Sequence, residues 1–323
     1  MANLTGSNFT NVTKTTTEGD TPNVTLEVSF ISIIINCISC PFTVLLNVLV
    51  IMAVKRRPRL QNNANILLAC LAVTDALAGL TVQPSFIAWE SCRLLNCSYT
   101  DEIKAFHNQS IRFLCLCSVL HLTLVTCERL IAIKFTMRYC SLVTKKTIKV
   151  AVITVWVFNT MIEGILARLT IFTNKMRNKL FSVTAIFCTL FIALAYFILY
   201  RETSRHRKMI KTHQRPQEEV KRFAKESKAL KTTVFVVASA VLSFMPMAII
   251  LLIKITVLKG TTGNNMVAIL SPLVRTCAML NSLLNPLVYC LRQREMRKFV
   301  LKVPCRQSVD PVINWLYKTV PWI

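Results

Sequence analysis

Seven stretches of mostly apolar residues, each long enough or nearly long enough to cross a bilayer as a helix, dominate this 323-residue chain. Crossing about 30 Å of hydrocarbon takes roughly 20 residues of α-helix. No water is present in that layer to bond the backbone, so a spanning segment must satisfy its own amides, and a helix does so. The stretches run approximately over 28–54, 64–88, 107–133, 148–167, 180–200, 232–256 and 266–290. The expected fold is therefore all-α, a seven-transmembrane helix bundle over residues 28–290, with a polar tail at 1–27 and a cytoplasmic amphipathic helix and tail at 291–323. A content of 53% hydrophobic and 17% charged residues argues against the two soluble domains that the length would allow.

In a soluble protein a net charge of +24 would suggest a nucleic-acid partner. The positions of the cations exclude that reading. Of 39 Lys and Arg residues, 27 fall in 55–59, 134–149, 201–231 and 292–318, all on one side of an alternating topology, and nine fall on the other. Arg112, Arg129 and Arg275 lie within spans. The positive-inside rule puts the basic side in the cytoplasm and the N-terminus outside. Six Asn-X-Ser/Thr sequences agree, since all lie on the expected outside and are open to glycosylation there: Asn3, Asn8, Asn11 and Asn23 in the tail, Asn96 and Asn108 between the second and third spans. Residues 1–27 lack the apolar core of a cleavable signal peptide, so the first span is expected to act as an uncleaved signal. Of 13 cysteines, only Cys92 and Cys97 face the oxidising side, where they can pair within their loop or remain thiols. The others read as small apolar packers.

Polar side chains inside spans are costly and mark function. The third span ends in Cys127-Glu128-Arg129-Leu130-Ile131-Ala132-Ile133 and the seventh in Asn285-Pro286-Leu287-Val288-Tyr289. Asn47 stands in the first span, Leu71-Ala72-Val73-Thr74-Asp75 in the second, Trp156 in the fourth and Ser243-Phe244-Met245-Pro246 in the sixth. In this order, one motif per span, the set resembles the rhodopsin-like (class A) G-protein-coupled receptors over nearly the whole chain. The resemblance implies a receptor without enzymatic activity, multi-pass in the plasma membrane with its N-terminus outside. Such a protein binds an extracellular small-molecule, lipid or peptide ligand and activates a heterotrimeric G protein.

The resemblance also assigns roles. Glu128 and Arg129 imply a cytoplasmic latch in which the guanidinium pairs with its neighbour and with Glu226 at the base of the sixth span; the alternative is an arginine reaching for lipid headgroups. Asp75, mid-membrane with no basic neighbour in sequence, would be protonated or bound to a cation. Family likeness favours an allosteric sodium ion on Asp75, Ser118, Asn281 and Asn285, with Asn47 nearby, against a purely structural polar knot. No other cofactor is expected. Pro286 removes a backbone donor and loosens its helix, so Asn285 and Tyr289 can turn inward on activation together with Tyr196, while Pro246 hinges the sixth span.

Several positions depart from the family pattern. Leu130 replaces an aromatic, Phe244 a tryptophan, Ala240 a phenylalanine and Thr136 a proline, and the fifth span has no proline near Cys188. The cysteine that usually begins the third span would fall near Lys104, and the loop from 168 to 180 has none to pair with it, so the usual outer disulfide is not expected. Lipid-type and melanocortin-type receptors share that absence. The altered relay keeps open a non-signalling scaffold or decoy. A small transporter or channel using Asp75, Glu163 and Arg129 would call for internal repeats, and none is visible.

About 25 Å above Arg129, at 1.5 Å per residue, Ile111 and Arg112 mark the level of an outer pocket. Amine receptors carry an aspartate where Ile111 stands, and opsins a lysine where Met279 stands, so neither a biogenic amine nor retinal is expected. Arg112, Arg275 and Glu163 remain, with Phe244 below. Two arginines could clamp a carboxylate-bearing ligand, or either could pair internally with Glu163 or Glu90. On the inner side, eleven basic and four acidic residues in 201–231 suit a G protein or anionic membrane lipid. Met296, Phe299 and Val300 alternate with basic residues as in an interfacial helix, and Cys305 beyond them is a palmitoylation candidate.

Overall fold

The computed structural model describes residues 20–135, 138–168, 174–212, 230–243, 245, 246, 249 and 261–302. Helix α1 spans Asp20–Arg56, α2 Asn63–Leu94, α3 Thr100–Lys134, α4 Lys145–Arg168, α5 Asn174–Thr212, α6 Leu230–Ser243, α7 Thr261–Arg292 and α8 Arg294–Lys302. A 3-10 turn, Pro58–Leu60, links α1 to α2, and a one-turn helix, Tyr139–Leu142, precedes α4. Among the described residues six helices are long and apolar enough to cross a membrane, and Leu230–Ser243 is a shorter apolar helix. Most of the expected sixth span beyond Ser243 lies outside the described residues.

Several helices run past their apolar stretches. α1 begins at Asp20 rather than 28, α3 at Thr100 rather than 107, and α5 covers both flanks of 180–200. Hydrogen bonding along a helix does not stop where the hydrocarbon ends, and polar termini help it continue. Asn62 caps α2 by accepting from the Asn65 amide at 2.8 Å. Asp101 and Glu102 sit in the first turn of α3, where the helix dipole favours them. Thr144 Oγ1 accepts from the Thr147 amide at 3.1 Å at the start of α4. As a result Asn23, counted with the tail above, lies in the first turn of α1, and Asn108 lies inside α3. Asn96 is exposed between α2 and α3 with φ 53°, a left-handed conformation that asparagine tolerates.

In α1, two faces are sorted in the reverse of a soluble helix. Phe30, Ile34, Ile38, Phe42 and Leu45 are exposed, while Ser29, Ser32, Asn36, Ser39, Thr43 and Asn47 are buried at three- and four-residue spacing. Lipid takes the apolar face and the bundle takes the polar one. Neighbouring helices supply the partners: Asn36 Nδ2 donates to Thr276 Oγ1 at 2.8 Å, Gln83 Nε2 to Ser39 Oγ at 2.9 Å, and Asn47 Nδ2 to the Ser282 carbonyl at 2.9 Å. The helices approach closely at Gly79, where a Cβ would stand 2.8 Å from Val44 Cγ2. One apolar cluster, including Leu71, Leu122, Val125, Val236 and Tyr289, fills the half of the bundle that holds the C-terminal end of α3; a second, Val82, Phe86, Trp89, Leu114 and Met279, fills the other. Met296, Phe299 and Val300 of α8 are buried, as an amphipathic helix docked on the bundle requires.

Candidate functional site

Three polar centres lie along the bundle, and α3 contributes to each. Near its C-terminal end, the end assigned to the cytoplasm by the charge distribution, Arg129 grips Glu128 with two donors, Nε to Oε2 and Nη2 to Oε1, both at 2.5 Å. Both residues are buried. Glu226, the expected second partner, lies outside the described residues. A third arm was not foreseen: Tyr139, in the one-turn helix, donates its hydroxyl to Glu128 Oε1 at 2.5 Å. Asn63 of α2 donates to the Tyr139 oxygen at 3.3 Å and to the Val143 carbonyl at 2.7 Å, fixing that turn against α2. Burial and the adjacent Glu128 carboxylate hold the Tyr139 phenol well above the ordinary tyrosine range, so it remains a donor. The pair is therefore a buried, bidentate ion pair rather than an arginine reaching for headgroups. Tyr196 is half-buried beside Ile133, Leu199 and Leu230, between α3 and α6.

Midway along the bundle Asp75 is fully buried. Asn285 Nδ2 donates to its Oδ2 at 2.8 Å, and Ser118 Oγ reaches its Oδ1 at a longer 3.5 Å. Asn47, Asn281 and Asn285 each leave a buried side-chain oxygen without a donor, and the Tyr289 hydroxyl is buried and unbonded as well. Buried acceptors in this state are costly. A carboxylate, a hydroxyl and amide oxygens lacking donors are the ligand set that a hard monovalent cation takes. Among the described residues no group of three or more His, Cys, Asp or Glu is placed to hold a metal.

At the end assigned outside by the charge distribution, Arg275 of α7 lies with its guanidinium carbon 4.6 Å from the centroid of the Trp89 ring and donates Nη1 to Asn108 Oδ1 at 3.0 Å. It does not pair with Glu90, because Arg93 holds that carboxylate through Nε at 3.0 Å and Nη2 at 2.5 Å, and also reaches Ser29 Oγ at 2.6 Å. Nor does Arg275 bond Glu163, which is buried on α4 with Oε2 unpartnered. Arg112 is buried on α3. Ile111 packs against the Trp89 cluster. His107 of α3 is fully buried and stacks on Trp89 with centroids 5.6 Å apart. Phe244 and Cys305 lie outside the described residues, as do Asn3, Asn8 and Asn11, while Pro246 is described as helical and half-buried. Cys92 and Cys97 are unbridged, the Cys97 amide donating to the Cys92 carbonyl at 2.9 Å.

A bundle of membrane-length helices with an ion pair at one end, a buried carboxylate midway and a polar cluster at the other fits a multi-pass receptor. The pattern of the family "7 transmembrane receptor (rhodopsin family)" matches residues 46–289. The chain belongs to that family. It is 26% identical over 279 residues to the histamine H2 receptor of Cavia porcellus, covering 79% of this chain and 74% of the relative. It is 33% identical over 118 residues to the human histamine H2 receptor, covering 36% and 32% respectively. Against the 5-hydroxytryptamine receptor 1E of Cavia porcellus it is 33% identical over 124 residues, 38% of this chain and 33% of the relative. The chain thus spans about a third of the length of the last two. Family members are ligand-activated receptors that couple to G proteins.

Proposed function

We propose that this protein is a plasma-membrane receptor, N-terminus outside, that converts binding of an extracellular ligand into activation of a heterotrimeric G protein. The observation that carries the reading is the buried Glu128–Arg129 pair, with Tyr139 donating to the same Glu128 Oε1 that Arg129 Nη2 holds. Such a cluster has two sets of partners, one within α3 and its loop and one on an incoming protein, so its populations can be shifted. Asp75 with Ser118, Asn281 and Asn285 holds sodium in the resting arrangement, a reading supported by the amide oxygens without donors. Asn285, Pro286, Tyr289 and Tyr196 form the relay between that centre and the cytoplasmic end. The outer ligand is read by Ile111, Arg112, Glu163 and Arg275. Relatives named for histamine and 5-hydroxytryptamine do not transfer their ligands, since Ile111 cannot pair an ammonium. Accessible Asn96 and the tail sequons carry glycans.

The test is nucleotide exchange by a panel of purified G proteins on the full chain reconstituted in nanodiscs. Glu128→Gln weakens the grip on Arg129 and is expected to raise basal exchange severalfold with at least one G protein. No exchange with any G protein, in either form, would leave the scaffold or decoy reading in its place.

A further inference from the structure

Trp89, His107 and Arg275 meet at one corner of α2, α3 and α7, and their bonding is incomplete in a specific way. Arg275 offers five N–H donors, yet its contacts are one hydrogen bond to Asn108 and the face of Trp89, with no carboxylate. His107 Nδ1 lies 3.1 Å from Ser85 Oγ, whose own hydrogen is committed to the Val82 carbonyl at 3.0 Å. Ser85 therefore accepts, Nδ1 carries the proton, and Nε2 presents a lone pair. That Nε2 is buried and has no donor. Around the Trp89 ring, against which both groups lie, the guanidinium asks for an anion and the imidazole for a donor rather than a second acceptor. A donating ammonium is disfavoured by the cations of Arg275 and Arg93, whereas Glu90 is already held. A neutral hydroxyl has no such conflict. Phe86, Ile103 and Ile111 of the adjoining cluster make the walls apolar.

We infer that this corner binds a hydroxycarboxylate, its carboxylate on Arg275 in place of the Asn108 amide oxygen and its hydroxyl donating to His107 Nε2. The inference rests on the reading of this end of the bundle as the ligand side, and it names the ligand class that the corner selects. Loss of a hydroxyl that a buried acceptor requires costs about tenfold or more in affinity.

The experiment titrates the full chain in nanodiscs with butyrate, 2- and 3-hydroxybutyrate and their methyl ethers, following thermal stability. At least one hydroxy acid is expected to bind about tenfold or more tightly than butyrate and than its own ether, which accepts but cannot donate. Arg275→Gln should abolish the shift with every acid. His107→Phe, which keeps a ring on Trp89, should make hydroxy and deoxy acids equal. The comparison of acids on the unaltered protein does not depend on any variant folding. No shift with any acid, equal affinity for butyrate and both hydroxy acids, or an unchanged preference in a folded His107→Phe protein overturns the inference. Selective binding without nucleotide exchange upholds it and removes the signalling reading instead.

Discussion

In α2, 56% of the apolar window is buried, and in α4 only 17%, although both are long enough to cross the membrane. The contrast extends to their neighbours. α1, α2, α3 and α7 are laced by buried side-chain hydrogen bonds, from Arg93–Ser29 at one end through Gln83–Ser39 and Asn36–Thr276 to Asn285–Asp75. Described polar residues on the exposed face of α4 mostly bond back to their own helix, as Thr154 does to Val150 and Thr160 to Trp156. Directional bonds in a low-dielectric interior tolerate little sliding, whereas apolar side chains against lipid tolerate much. One side of the bundle is built as a frame. The other carries fewer such bonds among the described residues, Asn159 of α4 donating to the Phe113 carbonyl of α3 at 2.9 Å being one, and is expected to move against the frame.

The largest difference is expected from Gln83→Leu, which removes the donor to Ser39 and to the Asn36 oxygen. Partners stranded in the buried seam cost about 1–3 kcal/mol, read as a fall in the unfolding temperature in nanodiscs. Tyr139→Phe comes next. It deletes one charge-assisted bond to Glu128, worth about 1.5 kcal/mol, and should raise basal nucleotide exchange by up to about tenfold. Because the folded phenol is held above its unfolded range, this bond is fully present below about pH 10 and is lost only as pH rises further. The Tyr139-dependent difference should accordingly be flat from about pH 6 to 9.

Smaller is the effect of Phe235→Leu. The Arg292 guanidinium lies 4.8 Å from the Phe235 ring centroid, tying α6 to the end of α7. Phe235 is half exposed, so the contact contributes about 0.5–1 kcal/mol, and its loss should raise basal exchange up to about fivefold. Smallest is Thr160→Val on α4, expected to shift stability by less than about 0.5 kcal/mol. A cost for Thr160→Val equal to that for Gln83→Leu would remove the distinction between the two sides.

The span pattern was legible because each helix must bury its backbone bonds within a run of apolar residues, and that signal is local. The neighbourhood of Asp75 with Asn285 and Ser118 could be anticipated from their fixed places in the spans, and both reach its carboxylate. Tyr139 was not, since a lone tyrosine in a connecting loop has no periodicity to show that it folds back on Glu128. Arg275 was found as a cation, but nothing near it in sequence reveals that Trp89 and Asn108 are its neighbours. The polar stripe of α1 could have been read from its three- and four-residue spacing. It escaped because serines and threonines within an apolar run lower hydropathy too little to stand out. Helix ends were misjudged wherever polar turns continue past the hydrocarbon, as at Thr100 of α3.

The most direct test of a fixed frame with a movable side is a pair of distances in the full chain. Spin labels carried by unnatural amino acids would sit at Lys231 on α6 and Lys298 on α8, with Arg59 and Lys298 as the frame pair, all three positions being exposed. On adding a G protein that undergoes exchange, with nucleotide removed, the Lys231–Lys298 distribution should lengthen by several ångströms while the Arg59–Lys298 distribution stays in place. Equal change in both pairs, or none in either while exchange proceeds, would contradict the account.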